Sequence, residues 1–342
     1  MNFLVIGTGS IGTRHIRNLK HLGHEVSAYS YRLAENPEIA SRDDIERVGN
    51  LTDALQDDYD AVVIANRTDQ HIDVAIEAAK SGRNLFVEKP LSISMSGVEA
   101  LLDLEKQNRL VVEIGFMLKF HPNLQWIKEN LHDAGLGEIL YVNAQVGQWL
   151  PDWRPGTDHR QGYGAFRKTG GGVIFDLIHE LDLVHWLFGD VHDVTAMTGY
   201  VDALEIETEA IANIGLRMDS GILARVQLDY VRPLYGRDLE IVGTEGILQW
   251  DYSKEEVSLS GRGRTQEVVH RADSDFERNT MFLEHMAHFS QRLTGNRIAA
   301  GSSLDAAAAV ERIALAAHRS AEERRCVRPR EIDETYHIKG SY

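Results

Sequence analysis

Three groups of residues in this chain have types and spacings suited to chemistry. The first is Gly7-Thr8-Gly9-Ser10-Ile11-Gly12, which follows the apolar run 3–6 and precedes a helical pattern over 13–22. Strand, glycine turn and helix in that order form the dinucleotide fingerprint. Gly7 permits the tight turn out of the strand. Gly9 has no side chain, so a pyrophosphate can approach the backbone. Gly12 lets the helix pack close to the strand. The N–H groups at the helix start, from Ser10 and Ile11 onward, then face the phosphates, where the helix dipole favours negative charge.

The second group is Glu88-Lys89-Pro90, directly after a strand-like run over 84–87. Pro90 stiffens the exit from the sheet. Lys89 is expected at a strand's carboxyl end, beside the nicotinamide ring. A lysine there can hydrogen-bond the substrate oxygen whose charge changes as hydride moves. Glu88 is expected to accept bonds from the nicotinamide ribose.

The third group lies in 170–182, three glycines followed by Val-Ile-Phe-Asp-Leu-Ile-His-Glu-Leu-Asp. The pattern predicts one helix over 173–188. Asp176 and His179, at i and i+3, then share a face that Glu180 flanks. A carboxylate beside a histidine favours imidazolium and can orient the ring. That suits a group taking the proton of an alcohol as hydride leaves. His185 lies on the other side and reads as structural. Upstream, the loop 149–169 gathers Asp152, Trp153, Arg154, His159, Arg160, Tyr163, Arg167 and Lys168. Aromatic and polar side chains suit a sugar, and the cations suit a carboxylate or phosphate on it.

Each group also has an ordinary reading: an empty glycine turn, a surface Glu-Lys pair, a helix-surface Asp-His pair, a charge-neutralising loop. The choice of dinucleotide turns on the second strand, which ends Ala28-Tyr29-Ser30-Tyr31-Arg32. NAD binders usually place a carboxylate there for the ribose hydroxyls. Ser30 and Arg32 suit a 2′-phosphate instead, which favours NADP over NAD.

The elements that must position these groups follow from periodicity. Strand-like runs at 3–6, 24–30, 45–48, 61–65, 84–87 and 110–114 alternate with helical patterns at 51–56, 70–80 and 94–108. That alternation implies an α/β Rossmann domain over residues 1–120, a doubly wound parallel sheet with ligands at its strands' carboxyl ends. The pattern changes at His121-Pro122. Residues 121–342 read as an α+β domain for substrate binding and oligomerisation. Short runs at 194–200, 207–216, 221–230, 237–242, 246–250 and 256–259 imply its antiparallel sheet. Helices are expected near 123–132, 276–293 and 304–319. One sheet face is expected to stay exposed and apolar, through Ile211, Ile214, Leu223 and Val226, and so to invite a partner.

Composition sets outer bounds. The chain has 342 residues, which suggests two cores rather than one. Its net charge of −16 argues against nucleic acid and anionic membrane as partners. Cys326 is the single cysteine, so no internal disulfide forms and a reducing compartment is compatible. With no long apolar run and no signal-peptide pattern, a cytoplasmic location is expected. No metal site is read.

Taken together, the sequence resembles the Gfo/Idh/MocA family of sugar and inositol oxidoreductases. The resemblance rests on residues 7–12, Ala-Asn-Arg-Thr-Asp-Gln-His at 65–71, Glu88-Lys89-Pro90, Phe120-His121-Pro122, residues 170–182 and the glycines at 243 and 246. It implies a Rossmann domain plus an open-faced antiparallel sheet, and a homodimer or homotetramer built through that sheet. It also implies that Ala65, Asn66, Thr68 and His71 join the cofactor site and that Lys89 is catalytic. Asp176 and His179 stand where the family keeps its proton relay. Many members separate those two by four residues; here the spacing is three. Lys119 takes the place of the arginine common before Phe-His-Pro, as a substrate contact beside Trp153, Arg154, Arg160 and Tyr163.

The function expected is hydride transfer between NAD(P) and a ring carbon of a sugar, sugar acid, nucleotide sugar or inositol. His179 would exchange the proton and Lys89 steady the oxygen. Two alternatives stand beside it: an NAD-dependent glycosidase working by transient oxidation and elimination, and a non-enzymatic NADP-sensing regulatory protein.

Overall fold

The computed structural model describes residues 1–30, 45–47, 50–55, 57–154, 156–296, 298 and 301–338. The chain forms two compact units. One comprises Met1–Phe120 with Glu277–Ala308, the other His121–Phe276 with Ala309–Tyr342.

Among the described residues, the first unit is built on six strands: β1 (Asn2–Ile6), β2 (Glu25–Tyr29), β3 (Glu46–Arg47), β4 (Ala61–Ile64), β5 (Asn84–Val87) and β6 (Val112–Ile114). They lie in the order β3-β2-β1-β4-β5-β6, all parallel. The order reverses between β1 and β4, which opens a crevice at their carboxyl ends. The four residues of β4 are completely buried, as a central parallel strand covered on both faces requires. Helices Ser10–His21, His71–Lys80 and Val98–Asn108 supply crossovers. The last begins later than the sequence pattern suggests, because Gly97 at its N-cap takes a left-handed φ of 78°.

A fourth helix, Arg278–Leu293, comes from far downstream and packs against Ser10–His21. Met286 and Phe289 enter one core with Phe3, Val5, Ile16, Leu19 and Phe86. Burying side chains of that size contributes about 2 kcal/mol each. The expectation of an unbroken second domain from 121 to 342 is therefore corrected: residues 277–308 belong with the first unit. The helix is further fixed by Glu113 on β6, whose carboxylate is completely buried. Arg292 donates to it at 2.7 Å, and His285 and His288 lie at 3.0 and 3.1 Å. Burial alone would push this carboxyl up. The two histidines and Arg292 outweigh that and hold it well below the usual carboxylate range.

The second unit carries an eight-stranded sheet. Its strands are β7 (Ile139–Gly147), β8 (Val191–Gly199), β9 (Ile211–Met218), β10 (Leu223–Asp229), β11 (Gly236–Gly243), β12 (Gly246–Asp251), β13 (Glu256–Gly261) and β14 (Arg264–Arg271). The order is β14-β13-β12-β11-β7-β10-β9-β8. All pairings are antiparallel except β7 with β10. The sequence reading lacked β7 and β14. Helix His179–Phe188 packs on β7 and β10.

Register explains which face is which. Val257, Trp250, Leu239, Ala144, Val226 and Ile214 form one cross-strand row and are all buried. The adjacent row is Gln249, Glu240, Asn143 and Arg225. In it, Asn143 and Gln249 both donate to the Glu240 carboxylate, at 3.0 and 2.9 Å. The uncovered face is thus largely hydrogen-bonded amides and carboxylates, and the expected apolar face is corrected. Ile214 and Val226 point to the core, because the period-two pattern places them opposite Leu223 and Ile211. Among the described residues, no helix is long and apolar enough to cross a membrane.

Candidate functional site

In the first unit, the three glycines of the turn do separate work. Gly7 ends β1 with φ 100°, and a Cβ there would lie 2.5 Å from the Ala65 carbonyl oxygen. At Gly12 an added Cβ would lie 1.9 Å from the Gly7 carbonyl oxygen, so only glycine allows this helix so close to its strand. At Gly9 an added Cβ would meet no described atom within 4 Å, so the backbone there faces open space. Gly9 is also the N-cap of Ser10–His21. Among the described residues no side chain caps it, and the first turn holds no acidic residue. Gly9 and Ser10 are exposed, Ile11 half-buried. An open, uncapped helix start with donors facing out fits a dinucleotide pyrophosphate.

Other expected cofactor residues surround the same sheet edge. Ser30 is half-buried just past β2, while Arg32 lies outside the described residues. Ala65 closes on β1 through its N–H to Ile6 O, and the Asn66 amide donates to Gln70. Thr68 is buried at the start of a short 3₁₀ turn. His71 is buried between two loops. Its Nδ1 lies 2.8 Å from Pro90 O and its Nε2 3.2 Å from Asn66 O. Burial lowers this imidazole below its ordinary value, despite the two carbonyls. Through the shorter of these contacts, His71 joins the segment after β4 to the loop after β5.

Lys89 is half-buried at the carboxyl end of β5, joined to Pro90 by a cis peptide. Glu88 beside it is buried, and its oxygens are engaged inside the unit. His15 Nε2 is 2.7 Å from Oε1, and the Lys89 N–H donates to Oε2 at 3.2 Å. Each Glu88 oxygen keeps a further lone pair beside these bonds. Lys119, also buried, donates from Nζ to Ser302 Oγ at 2.8 Å.

In the second unit, the helix expected over 173–188 is broken. A short helix, Val173–Asp176, ends at Leu177, whose φ −103° and ψ 27° leave the helical range; His179 begins the next helix. Asp176 and His179 thus do not share one continuous helix face, although both side chains are buried. Asp176 is gripped by two phenols. Tyr163 donates to Oδ1 and Tyr230 to Oδ2, each at 2.7 Å. Gly164 leaves the room, since a Cβ there would lie 2.9 Å from Oδ2. Burial, and then the Asp176 charge, push both phenols well above their ordinary range. Glu180 does not flank Asp176. It is buried in a two-pronged pair with Arg237 on β11, at 2.7 and 3.3 Å.

The loop residues divide. Trp153 stands edge-on to Tyr230 at 5.2 Å, and the Arg154 guanidinium lies 5.4 Å from the Tyr163 ring centre. Both belong to the Asp176 cluster. Arg160 does not: it is exposed and paired with Asp158 at 2.9 Å and Glu205 at 3.2 Å. His159 is bound to the Leu204 carbonyl at 2.9 Å.

Comparison with known proteins agrees with this geometry. Residues 1–116 match the oxidoreductase family with an NAD-binding Rossmann fold, and residues 124–249 the GFO/IDH/MocA C-terminal domain. The inositol 2-dehydrogenase/D-chiro-inositol 3-dehydrogenase of Lacticaseibacillus casei is 30% identical over 72% of this chain and 70% of its own. The chain belongs to the Gfo/Idh/MocA oxidoreductase family. The myo-inositol 2-dehydrogenase of Thermotoga maritima is 25% identical over 97% of this chain and 99% of its own. Among solved structures, an Agrobacterium radiobacter oxidoreductase in complex with NAD⁺, L-tartaric acid and magnesium superposes with TM-score 0.83 at 21% identity. The match covers 97% of this chain and 99% of that one.

In this Gfo/Idh/MocA chain, sequence reading missed Tyr230, His15 and Glu209. Tyr230 follows β10, and nothing local marks it as a partner for a helix about fifty residues away. His15 had a signal: a polar residue on the inward face of the helix that follows the glycine turn. Glu209 is a buried carboxyl that accepts the Ile174 N–H at 3.3 Å. Burial pushes it up to about 7. Its neighbour His318, at 3.9 Å, offers no charge, because burial and then Arg167 lower that imidazole to about 3.

Proposed function

We propose that this oxidoreductase is an NAD(P)-dependent dehydrogenase of a ring hydroxyl, on an inositol, sugar, sugar acid or nucleotide sugar. The observation that carries the reading is the placement of Lys89 at the carboxyl end of β5, two strands along the same sheet from the open glycine turn that ends β1. The inositol dehydrogenases among its relatives support the substrate class.

When bound, the nicotinamide supplies the hydride acceptor or donor. In the proposed mechanism the Ser10–His21 helix start holds the pyrophosphate. Lys89 donates a hydrogen bond to the substrate oxygen as its charge changes, a contact worth about a hundredfold or more in rate. His179 takes the alcohol's proton during oxidation and returns it during reduction. Asp176 is held rigid by Tyr163 and Tyr230 as a fixed acceptor near the substrate, with Trp153 and Arg154 beside it. The test is a screen of inositols, sugars and nucleotide sugars for a cofactor-coupled change in nicotinamide absorbance. No change across the panel with either cofactor would defeat the reading.

For cofactor choice we propose NADP(H) over NAD(H), supported by Ser30 where a carboxylate would hold the ribose hydroxyls. Calorimetry should show tighter NADP(H), with the preference flattened in Arg32→Ala; tighter NAD(H) in the unaltered protein contradicts it. We propose also that the chain acts in the cytoplasm and self-associates through the sheet of the second unit, which exposes Tyr141, Met197 and Leu223 among its polar rows. Sedimentation as a monomer at micromolar concentration would refute the association.

A further inference from the structure

We propose that His15 is a positioning residue for Lys89, acting through the buried carboxylate of Glu88. The inference rests on the catalytic reading of Lys89 given above.

His15 lies on the inward face of the helix that follows the glycine turn, and only 1% of it is exposed. Its ring is held edge-on by Phe86, with centroids 5.2 Å apart, and by Phe282 at 6.4 Å. That packing leaves the imidazole one direction for Nε2, which meets Glu88 Oε1 at 2.7 Å. Glu88 itself is fixed from four sides. Its N–H donates to Ile64 O on β4 at 2.9 Å. His15 holds one carboxylate oxygen, and the Lys89 N–H holds the other. Beneath it lies Gly115, where a Cβ would come within 2.9 Å of all three carboxyl heavy atoms. Only a glycine at 115 leaves space for the carboxylate in this place.

A buried carboxylate is costly unless its lone pairs are filled. Burial alone would raise this one; the hydrogen bond and charge of His15 outweigh it, with Lys89 and His71 adding, and hold it below the usual range. Glu88 therefore sits as a fixed negative charge one residue from the Lys89 ammonium, bonded to the Lys89 backbone. The chain from His15 to Glu88 to the Lys89 N–H links the helix that binds pyrophosphate to the backbone that carries the lysine. Displacing a catalytic group by about 1 Å costs on the order of a hundredfold in rate. Loss of the His15 contact frees the carboxylate to turn, and the lysine backbone with it.

The test has two readouts. Reductive methylation with isotope-labelled formaldehyde gives Lys89 a dimethylamine resonance that reports its surroundings without any substrate. His15→Leu should move that resonance and lower kcat by about tenfold to a hundredfold, with NADPH affinity retained. His15→Gln, whose amide nitrogen can still reach Oε1, should recover most of both. In a Glu88→Gln background, His15→Leu should cost little more. If His15→Leu does not fold, His15→Asn replaces it, since its amide is too short to reach. A folded His15→Leu or His15→Asn with an unmoved resonance overturns the proposal. Equal losses in the glutamine and leucine variants overturn it too. Should Lys89→Ala keep its turnover while the resonance still moves, the brace stands and the catalytic reading of Lys89 fails.

Discussion

The Tyr230 hydroxyl donates a 2.7 Å hydrogen bond to Oδ2 of Asp176. Tyr163 does the same to Oδ1. A phenol has one hydrogen, and each of these two points to the same carboxylate. Asp176 is thereby fixed at once from the residue that follows β10 and from the 149–169 loop.

Tyr230→Phe removes one charge-assisted bond and leaves a buried carboxylate oxygen short of a partner. It should lower stability by about 2 kcal/mol. The Tyr163→Phe/Tyr230→Phe pair should be non-additive, since both act on one carboxylate. Urea unfolding of the two single variants and the double measures this. Additive losses would show that the two bonds are independent.

Glu209 makes a pH-dependent prediction. Its carboxyl is raised to about 7 in the folded chain and has an ordinary value near 4.3 when unfolded. Between these values the folded state holds the extra proton, so stability falls as pH rises, by about 3 kcal/mol in all. Below the lower value the effect is absent. Glu209→Gln keeps an acceptor for the Ile174 N–H and has no proton to lose. It should match the parent at pH 4 and exceed it at pH 8 in denaturant unfolding. Equal stability at both pH values would show that Glu209 is not strained by burial.

Glu113 behaves in the opposite sense. Its carboxyl is depressed, so its contribution is complete above the ordinary value of about 4.3 and drains away as pH falls below it. Arg292→Met removes a partner from a completely buried carboxylate and should cost about 3 kcal/mol at neutral pH. The variant should lose part of the acid dependence, since His285 and His288 still hold the carboxylate. Unfolding curves collected from neutral to acid pH read both; an unchanged acid limb would place the dependence elsewhere.

These groups show what the sequence could and could not say. Gly7, Gly9 and Gly12 were legible because a tight turn, a close ligand and a close helix each exclude a side chain. The buried parallel strands were legible as continuous apolar runs such as 61–65. The return of Arg278–Leu293 was not, because its stripe of Met281, Met286 and Phe289 fits any sheet face, and Glu113 reads as a surface residue until its partners arrive from nearly two hundred residues away. The break at Leu177 left no mark either: the residues from 173 to 188 keep helical spacing through it. Glu180 and Arg160 read as site residues by type, and their commitments to Arg237 and to Asp158 with Glu205 depend on the tertiary fold.

The most direct test of the proposed chemistry is the steady-state turnover of Lys89→Ala beside the parent, on a polyol the parent oxidises, with NADPH affinity measured on the same samples. A fall in kcat of about a hundredfold to a thousandfold is expected, with NADPH affinity retained. A kcat near that of the parent would contradict it.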